Sequence, residues 1–175
     1  MTRAPSRRRL FDCAVERSAR CAAVRTTPDP LPPLPPSGIP EMDAAHARLW
    51  SRMRELWCAL AQAPLSDAMA CCVTLLMELR EEYSGEEALM ARHRYPGTPM
   101  HRASHTLLEG EFSALARAIR DAGRDPPRGV RARLAETLLA AGSRLASHVQ
   151  QVDIPLARHV RAAARPGSRP GLPFA

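Results

Sequence analysis

The sequence has few aromatic residues, no lysine and no long apolar run. Phenylalanine, tryptophan and tyrosine together make up 4% of its 175 residues, which disfavours a β-sandwich or barrel because strands draw on aromatic and β-branched side chains. No apolar run reaches the length of about 18 residues that a membrane-spanning helix needs. Alanine, leucine and arginine dominate instead, and they favour helices. The composition therefore predicts an all-α protein with no membrane partner.

The formal net charge of +7 is confined to the two ends of the chain. Residues 1–37 contain seven arginines and three acidic residues, and residues 161–175 contain three arginines and no acidic residue. Between them, fifteen arginines balance fifteen acidic residues. Because the excess lies in the ends and not on a helical face, we expect solvated tails and no nucleic-acid partner.

The first thirty residues lack the apolar segment that an export signal requires. The run SRRRLF is similar to a twin-arginine signal, but the residues that follow it include the charged Asp12, Glu16 and Arg17, where such a signal needs an apolar segment.

The five cysteines are odd in number and form no C-x-x-C pair, which predicts reduced thiols and not a disulfide framework. We therefore expect a cytoplasmic protein.

Proline divides the chain into a central domain and two tails. Residues 26–40 read TTPDPLPPLPPSGIP, which is typical of an extended segment without a core of its own. The last ten residues read PGSRPGLPFA and should be frayed. We therefore predict a disordered extension over residues 1–37, a helical domain over residues 38–163 and a disordered tail over residues 164–175.

Four amphipathic segments are predicted between the tails. In the first, Leu49, Met53, Leu56 and Leu60 recur at helical spacing. The predicted helices run over about residues 43–61, 66–93, 98–121 and 130–163. Because short connections between long helices make neighbours antiparallel, we predict an up-down-up-down four-helix bundle. Pro155 removes a helical hydrogen bond and should kink the fourth helix just beyond Asp153.

Side chains that can bind a metal occur in all four predicted helices. His101 and His105 are four residues apart, which places them on one helical face, about 40° apart. The other candidates are His46 in the first helix, Glu86 in the second, and His148 and Asp153 in the fourth. An H-x-x-x-H pair alone is compatible with a zinc site, with an iron site or with a chance occurrence. Imidazole and carboxylate donors suit iron better than thiolate-loving metals. The absence of E-x-x-H and H-E-x-x-H disfavours a ferritin-like site and a zinc protease.

In three segments, the chain resembles the hemerythrin family, and the bacterial hemerythrin domains in particular. They are GIPEMDAAH at residues 38–46, EYSGEEALMARHRYPGTPMHRASH at residues 82–105, and HVQQVD at residues 148–153. Six of the seven ligand positions of the family are filled by the usual residue. At the seventh, this chain has Glu82 where the family has histidine.

The resemblance implies a hemerythrin-like bundle with two non-haem iron ions bridged by an oxo or hydroxo group. One iron would bind His101, His105 and His148. The other iron would bind His46 and Glu82. The carboxylates of Glu86 and Asp153 would bridge the two ions. Leu145, three residues before His148, would line the ligand pocket.

The resemblance also implies a function in dioxygen binding, for storage, delivery or sensing, by a monomer or weak homo-oligomer. The departure at Glu82 keeps two alternatives open. If its carboxylate binds the second iron, the added negative charge stabilises the ferric state and favours an oxidase- or peroxidase-type activity or iron and oxygen sensing over dioxygen carriage. If the side chain turns to solvent, the second iron binds weakly.

Overall fold

A computed structural model of the protein describes residues 31–164, and these residues form helices without any strand. The all-α prediction is therefore confirmed. The helices are α1 (Pro40–Gln62), α2 (Leu65–Arg92), α3 (Thr98–Asp121), α4 (Arg128–His148) and α5 (Ile154–Ala163). A π-helical turn, Val149–Asp153, joins α4 to α5. The tails predicted to be disordered lie largely outside the described residues. None of the described helices is both long and apolar enough to cross a membrane.

Proline sets several helix ends. Pro40 lies in the first turn of α1, where its missing N–H group is not needed, so the helix begins three residues before the predicted start at Asp43. Pro64 follows α1 and precedes α2. Pro99 lies in the first turn of α3, and the hydroxyl of Thr98 at its start donates a hydrogen bond of 2.6 Å to the carbonyl of Tyr95.

The π-helical turn lies ahead of Pro155, the residue at which the sequence predicts a kink. Proline has no N–H group to donate to the carbonyl four residues earlier. Just before it, the N–H group of Ile154 donates to the carbonyl of Val149, five residues back. Single π-helical turns of this kind are rare and frequently lie at functional sites.

The helices α1 to α4 each pack against the next along the chain, and α1 also packs against α4. Both α4 and α5 contact the π-helical turn that joins them. The buried side chains of the helices form two apolar clusters. The larger one includes Leu56, Leu75, Phe112 and Leu138, and the smaller one consists of Met42, Met90, Leu156 and Ala157. Between the two clusters lie buried histidines and carboxylates, so apolar layers enclose a polar one.

Part of the predicted N-terminal extension packs on the helices. Leu31 is 5% exposed and Ser37 is 2% exposed, although both were assigned to the extension. The backbone N–H group of Ser37 donates to the Asp43 carboxylate at 2.7 Å. A side chain at Gly142 would meet Leu31 at 2.9 Å and Met53 at 2.7 Å. Glycine at this position in α4 therefore lets the segment lie close to the core.

The cysteines differ from one another in the structure. Cys72 is a buried thiol, and burial raises its pKa to about 11. Cys58, in contrast, takes part in a disulfide bond. The prediction of reduced thiols is therefore wrong for Cys58, because an odd number of cysteines without a C-x-x-C pair does not exclude a disulfide bond.

Candidate metal centre

Seven buried histidine, glutamate and aspartate side chains converge between the two apolar clusters. They form two donor sets, and within each set the ligand atoms lie within 4.8 Å of one another. The three-histidine set consists of Glu86, His101, His105, His148 and Asp153, and the His46 set consists of His46, Glu82 and Glu86. All seven residues that the sequence singled out are brought together here, and each is at most 9% exposed.

In the three-histidine set, each imidazole lies against a carboxylate oxygen. The Oε2 atom of Glu86 is 3.1 Å from Nε2 of His101 and 3.0 Å from Nε2 of His105. The Oδ1 atom of Asp153 is 3.1 Å from Nε2 of His101 and 2.9 Å from Nε2 of His148. All three histidines therefore direct the same ring nitrogen toward one small volume.

The imidazole of His46 faces three carboxylates, those of Glu82 and Glu86 in its own set and that of Asp153 in the three-histidine set. Nε2 of His46 lies 3.1 Å from Oε1 of Glu82, 3.2 Å from Oδ2 of Asp153 and 3.8 Å from Oε1 of Glu86. Glu82 therefore lies inside the protein and faces His46. The alternative that this side chain turns to solvent does not apply, since it is 9% exposed.

Glu86 and Asp153 each face both sets, with a different oxygen toward each. Glu86 directs Oε2 to His101 and Oε1 to His46. Asp153 directs Oδ1 to His101 and Oδ2 to His46. This is the arrangement in which a carboxylate can bridge two neighbouring cations.

Helix geometry explains how these side chains come to share one face. Glu82 and Glu86 are four residues apart, and so are His101 and His105, so each pair lies about 40° apart around its helix. His148 and Asp153 are five residues apart, which in a regular α-helix would separate them by about 140°. The π-helical turn between them brings their side chains to within 2.9 Å.

Residues around the donors hold the imidazole rings in place. The hydroxyl of Ser104 forms a hydrogen bond of 2.8 Å with Nδ1 of His148, which leaves Nε2 facing inward. The ring of Tyr83 stacks on His105, with ring centroids 3.7 Å apart and planes at 5°. Sequence reasoning missed Ser104, because its partner lies 44 residues away along the chain.

Several inward-facing atoms lie close to one another but do not meet the geometry of a hydrogen bond. These buried atoms include both carboxylate oxygens of Glu82 and of Asp153, and Nε2 of His46 and of His148. A buried carboxylate without a compensating cation or hydrogen bond is costly. A bound cation would satisfy all of these lone pairs together. The residues therefore fit a metal site, and mixed imidazole and carboxylate donors suit iron.

The protonation states show how strongly the groups interact. Burial opposes ionisation of Glu86, but hydrogen bonds from His101 and His105 lower its pKa to about 2. Burial likewise opposes protonation of His46, but Asp153, Glu86 and Glu82 raise its pKa to about 10. Burial and the neighbouring Glu86 charge hold the pKa of Glu82 well above its usual range. Protons on His46 and His101 therefore take the place of a cation.

Metal binding at pH 8 is expected to release at least two protons per chain. The pKa values of His46 and His101 are raised to about 10 and about 9, so both are protonated at pH 8 without metal. A histidine must be neutral to bind a metal. Proton release on titration with ferrous ion in weak buffer, without oxygen, measures this. Release of no protons at pH 8 would contradict the assignment of these histidines as ligands.

The same pKa values predict how the stability of the metal-free protein depends on pH. The contribution of His46 is complete below pH 6.5 and is lost as the pH rises through about 10. The contribution of Glu86 is complete above pH 4.5 and is lost as the pH falls through about 2. For these two groups, the free energy of unfolding is therefore greatest between pH 4.5 and 6.5.

Two other histidines lie outside both donor sets. Nε2 of His159 donates a hydrogen bond of 3.0 Å to the backbone carbonyl of His93, and the ring of His159 packs against Tyr95 with centroids 5.3 Å apart. His93 is half-buried at the end of α2. These contacts give both residues a role in packing.

A comparison with known protein families, curated proteins and solved structures finds no match to this chain. The resemblance to hemerythrins consequently rests on the three sequence segments quoted above. The structure itself provides a helical protein with buried imidazole and carboxylate groups that can hold a metal ion.

Proposed function

We propose that this chain is a non-haem di-iron protein of the hemerythrin type that binds dioxygen. The observation that carries the proposal is the placement of Glu86 and Asp153, each of which directs one oxygen to the three-histidine set and the other to the His46 set. A site for a single ion does not require two carboxylates to span two donor sets. In this proposal, the helices form an antiparallel up-down-up-down bundle.

The contacts between helices support that arrangement. α1 packs on α2, α2 on α3, α3 on α4 and α4 on α1, so the pairs close into a ring. Only residues 63 and 64 separate α1 from α2, and such a short connection favours antiparallel neighbours. A ring of four helices with inward-facing ligands is the usual way in which a bundle encloses metals.

Each residue has a distinct role in the proposed centre. His101, His105 and His148 would hold one iron, His46 and Glu82 would hold the other, and the remaining two carboxylates would bridge them. When bound, the iron pair supplies two adjacent redox-active ions and a coordination position for dioxygen. Leu145 is 2% exposed and lies one turn before His148, where it would form an apolar wall of the ligand pocket. Burial of all these side chains excludes bulk water.

The position of Glu82 supports a second candidate, an oxidase- or peroxidase-type activity. Its Oε1 atom lies 3.1 Å from Nε2 of His46, and on binding iron as a carboxylate it would add a third negative charge to the cluster. Negative charge stabilises a ferric pair and so opposes release of dioxygen from a ferrous one. Stabilisation of the ferric state by Glu82 would also suit a protein that senses iron or oxygen.

Purified protein supplied with iron is expected to contain close to two irons per chain, because the two donor sets share two carboxylates. Metal analysis measures this directly. One tightly bound zinc ion per chain would contradict the proposal.

The visible absorption spectrum after air is admitted to the anaerobically reduced protein separates the two candidate functions. A stable new absorption band supports dioxygen binding, whereas its rapid decay to the spectrum of a ferric protein supports oxidation. Protein from which the metal has been removed by a chelator serves as the control and should show neither.

A further inference from the structure

The buried ring of His105 is held by three side chains from one helix. Tyr83 stacks on its face, with ring centroids 3.7 Å apart, and Oε2 of Glu86 lies 3.0 Å from its Nε2 atom. The third is Glu87, whose Oε1 atom lies 3.7 Å from Nδ1 of His105. Consecutive carboxylates of α2 therefore face the two nitrogens of one imidazole, and only Glu86 belongs to the donor set.

Metal binding through Nε2 makes the other ring nitrogen of His105 a hydrogen-bond donor. A histidine must be neutral to bind a metal, and a neutral imidazole carries one proton on one of its two nitrogens. Since Nε2 is the atom that faces the other donors, this proton then lies on Nδ1. His105 is 3% exposed, so the N–H group needs an acceptor within the protein, because a buried donor is costly to leave unpaired.

Glu87 offers that acceptor. In the part of the chain that the structure describes, Nδ1 of His105 is buried and meets the geometry of no hydrogen bond. Its distance of 3.7 Å to Oε1 of Glu87 exceeds the usual N–H···O length of about 2.7–3.2 Å. The terminal torsion of a glutamate side chain is broad and soft, so a movement of less than about 1 Å completes the hydrogen bond.

Arg102 holds the carboxylate of Glu87 at the surface beside His105. Nε of Arg102 donates a hydrogen bond of 2.7 Å to Oε2 of Glu87, which leaves Oε1 for the histidine. The side chain of Glu87 is 31% exposed, whereas that of His105 is 4% exposed. The pair of Glu87 and Arg102 therefore connects a buried ring of the three-histidine set to the surface between α2 and α3.

We propose that Glu87 is a positioning residue of the metal centre, which accepts the Nδ1 hydrogen bond of His105 when this histidine binds a metal and so raises the affinity of the three-histidine set. A carboxylate behind a ligand histidine fixes the orientation of the ring and makes it a stronger donor. Ser104 has the corresponding position behind His148. The inference deepens the proposed function, on which the identity of the metal as iron rests.

The test is a titration of the full-length protein with cobalt(II), followed by visible absorption. Cobalt(II) is next to iron(II) in the order of affinity for nitrogen and oxygen donors. Glu87→Ala should weaken binding at the three-histidine set by at least about tenfold. Glu87→Gln keeps a carbonyl oxygen that can accept the hydrogen bond, so it should recover part of this loss.

Glu109→Ala is the matched control for the loss of a surface ion pair. Glu109 also joins α2 to α3, since its Oε1 atom accepts a hydrogen bond of 2.7 Å from Arg80, but it belongs to neither donor set. This variant should bind cobalt(II) as tightly as the parent does. An equal loss of affinity in Glu87→Ala and Glu109→Ala would overturn the inference, because it would show that the ion pairs only hold the two helices together.

The exchange of the His105 Nδ1 proton with solvent gives a signature that helix packing alone does not change. In NMR spectra of the cobalt-loaded protein, this exchange should be at least about tenfold faster in Glu87→Ala than in the parent, which corresponds to the loss of one hydrogen bond to a charged group. The ring N–H proton of His148, which lies beside Ser104, should exchange at the same rate in both proteins.

Equal cobalt affinity of the parent and Glu87→Ala, or equal exchange of the His105 proton, would each overturn the inference. Iron content is measured on the same proteins. Two irons per chain in a parent whose affinity does not depend on Glu87 would refute the role of Glu87 and leave the proposed function standing. A single ion per chain, bound more weakly in Glu87→Ala, would refute the di-iron proposal and leave the role of Glu87 standing.

Discussion

Glu86→Gln is expected to abolish metal binding in both donor sets at once. The carboxylate of Glu86 faces His101 and His105 with one oxygen and His46 with the other, so its loss removes a ligand from each set. Residues that only support a metal ligand already change affinity by about 10–100-fold. For Glu86, which belongs to the donor sets themselves, we therefore expect a fall of more than about 100-fold. Iron titration followed by metal analysis measures it.

The same variant should also lose the stability that metal provides to the parent. Metal at about 100 times its dissociation constant stabilises the folded state by about 2.7 kcal/mol, so the difference between thermal unfolding with and without iron should disappear in Glu86→Gln. Glu111→Gln is the matched control, because Glu111 pairs with Arg144 at the surface. Full iron content in Glu86→Gln would show that Glu86 does not bridge the two sets.

Glu82→His should slow oxidation of the reduced, iron-loaded protein in air by at least about tenfold. This corresponds to a rise of about 1.4 kcal/mol in the activation free energy of oxidation. The substitution exchanges a carboxylate 3.1 Å from His46 for a neutral imidazole. It therefore removes one negative charge beside the proposed second iron and makes the ferric state less favourable. Measurement of the autoxidation rate by absorbance, in the same buffer for all variants, checks this.

Glu82→Ala separates the charge of the side chain from its role as a ligand. We expect this variant to lose iron from the His46 set, so that its content falls from two ions per chain toward one. Glu136→His repeats the change of charge on the exposed surface of α4 and should behave like the parent. If Glu82→His oxidises as fast as the parent and has the same spectrum, Glu82 is not a ligand.

The sequence was most informative where a feature repeats within one helix. The predicted bounds of the third helix, residues 98–121, are those of α3, and the four-residue spacing placed His101 and His105 on one face. Proline and glycine marked most of the connections. These features depend on local geometry, so they can be derived from neighbouring residues alone.

Features that depend on distant parts of the chain could not be derived in this way. Ser104 supports His148 across 44 residues, and no local pattern connects the two. Leu31 packs beside Gly142, although a proline-rich segment gives no periodic signal of burial. In the sequence, the π-helical turn was indicated only by Pro155 and by the five-residue spacing of His148 and Asp153. That spacing is unsuitable for one face of a regular helix.

The π-helical turn amounts to a one-residue insertion that the fold has absorbed. In an uninterrupted α-helix, a histidine and an aspartate four residues apart would lie about 40° from each other, as His101 and His105 do. Here the spacing is five, and the wider turn takes up the additional residue. A related protein with one residue fewer between these two ligands could therefore present the same pair from a regular helix. Gaps at this point in a comparison of such chains would record a change of helix winding and not the loss of a ligand.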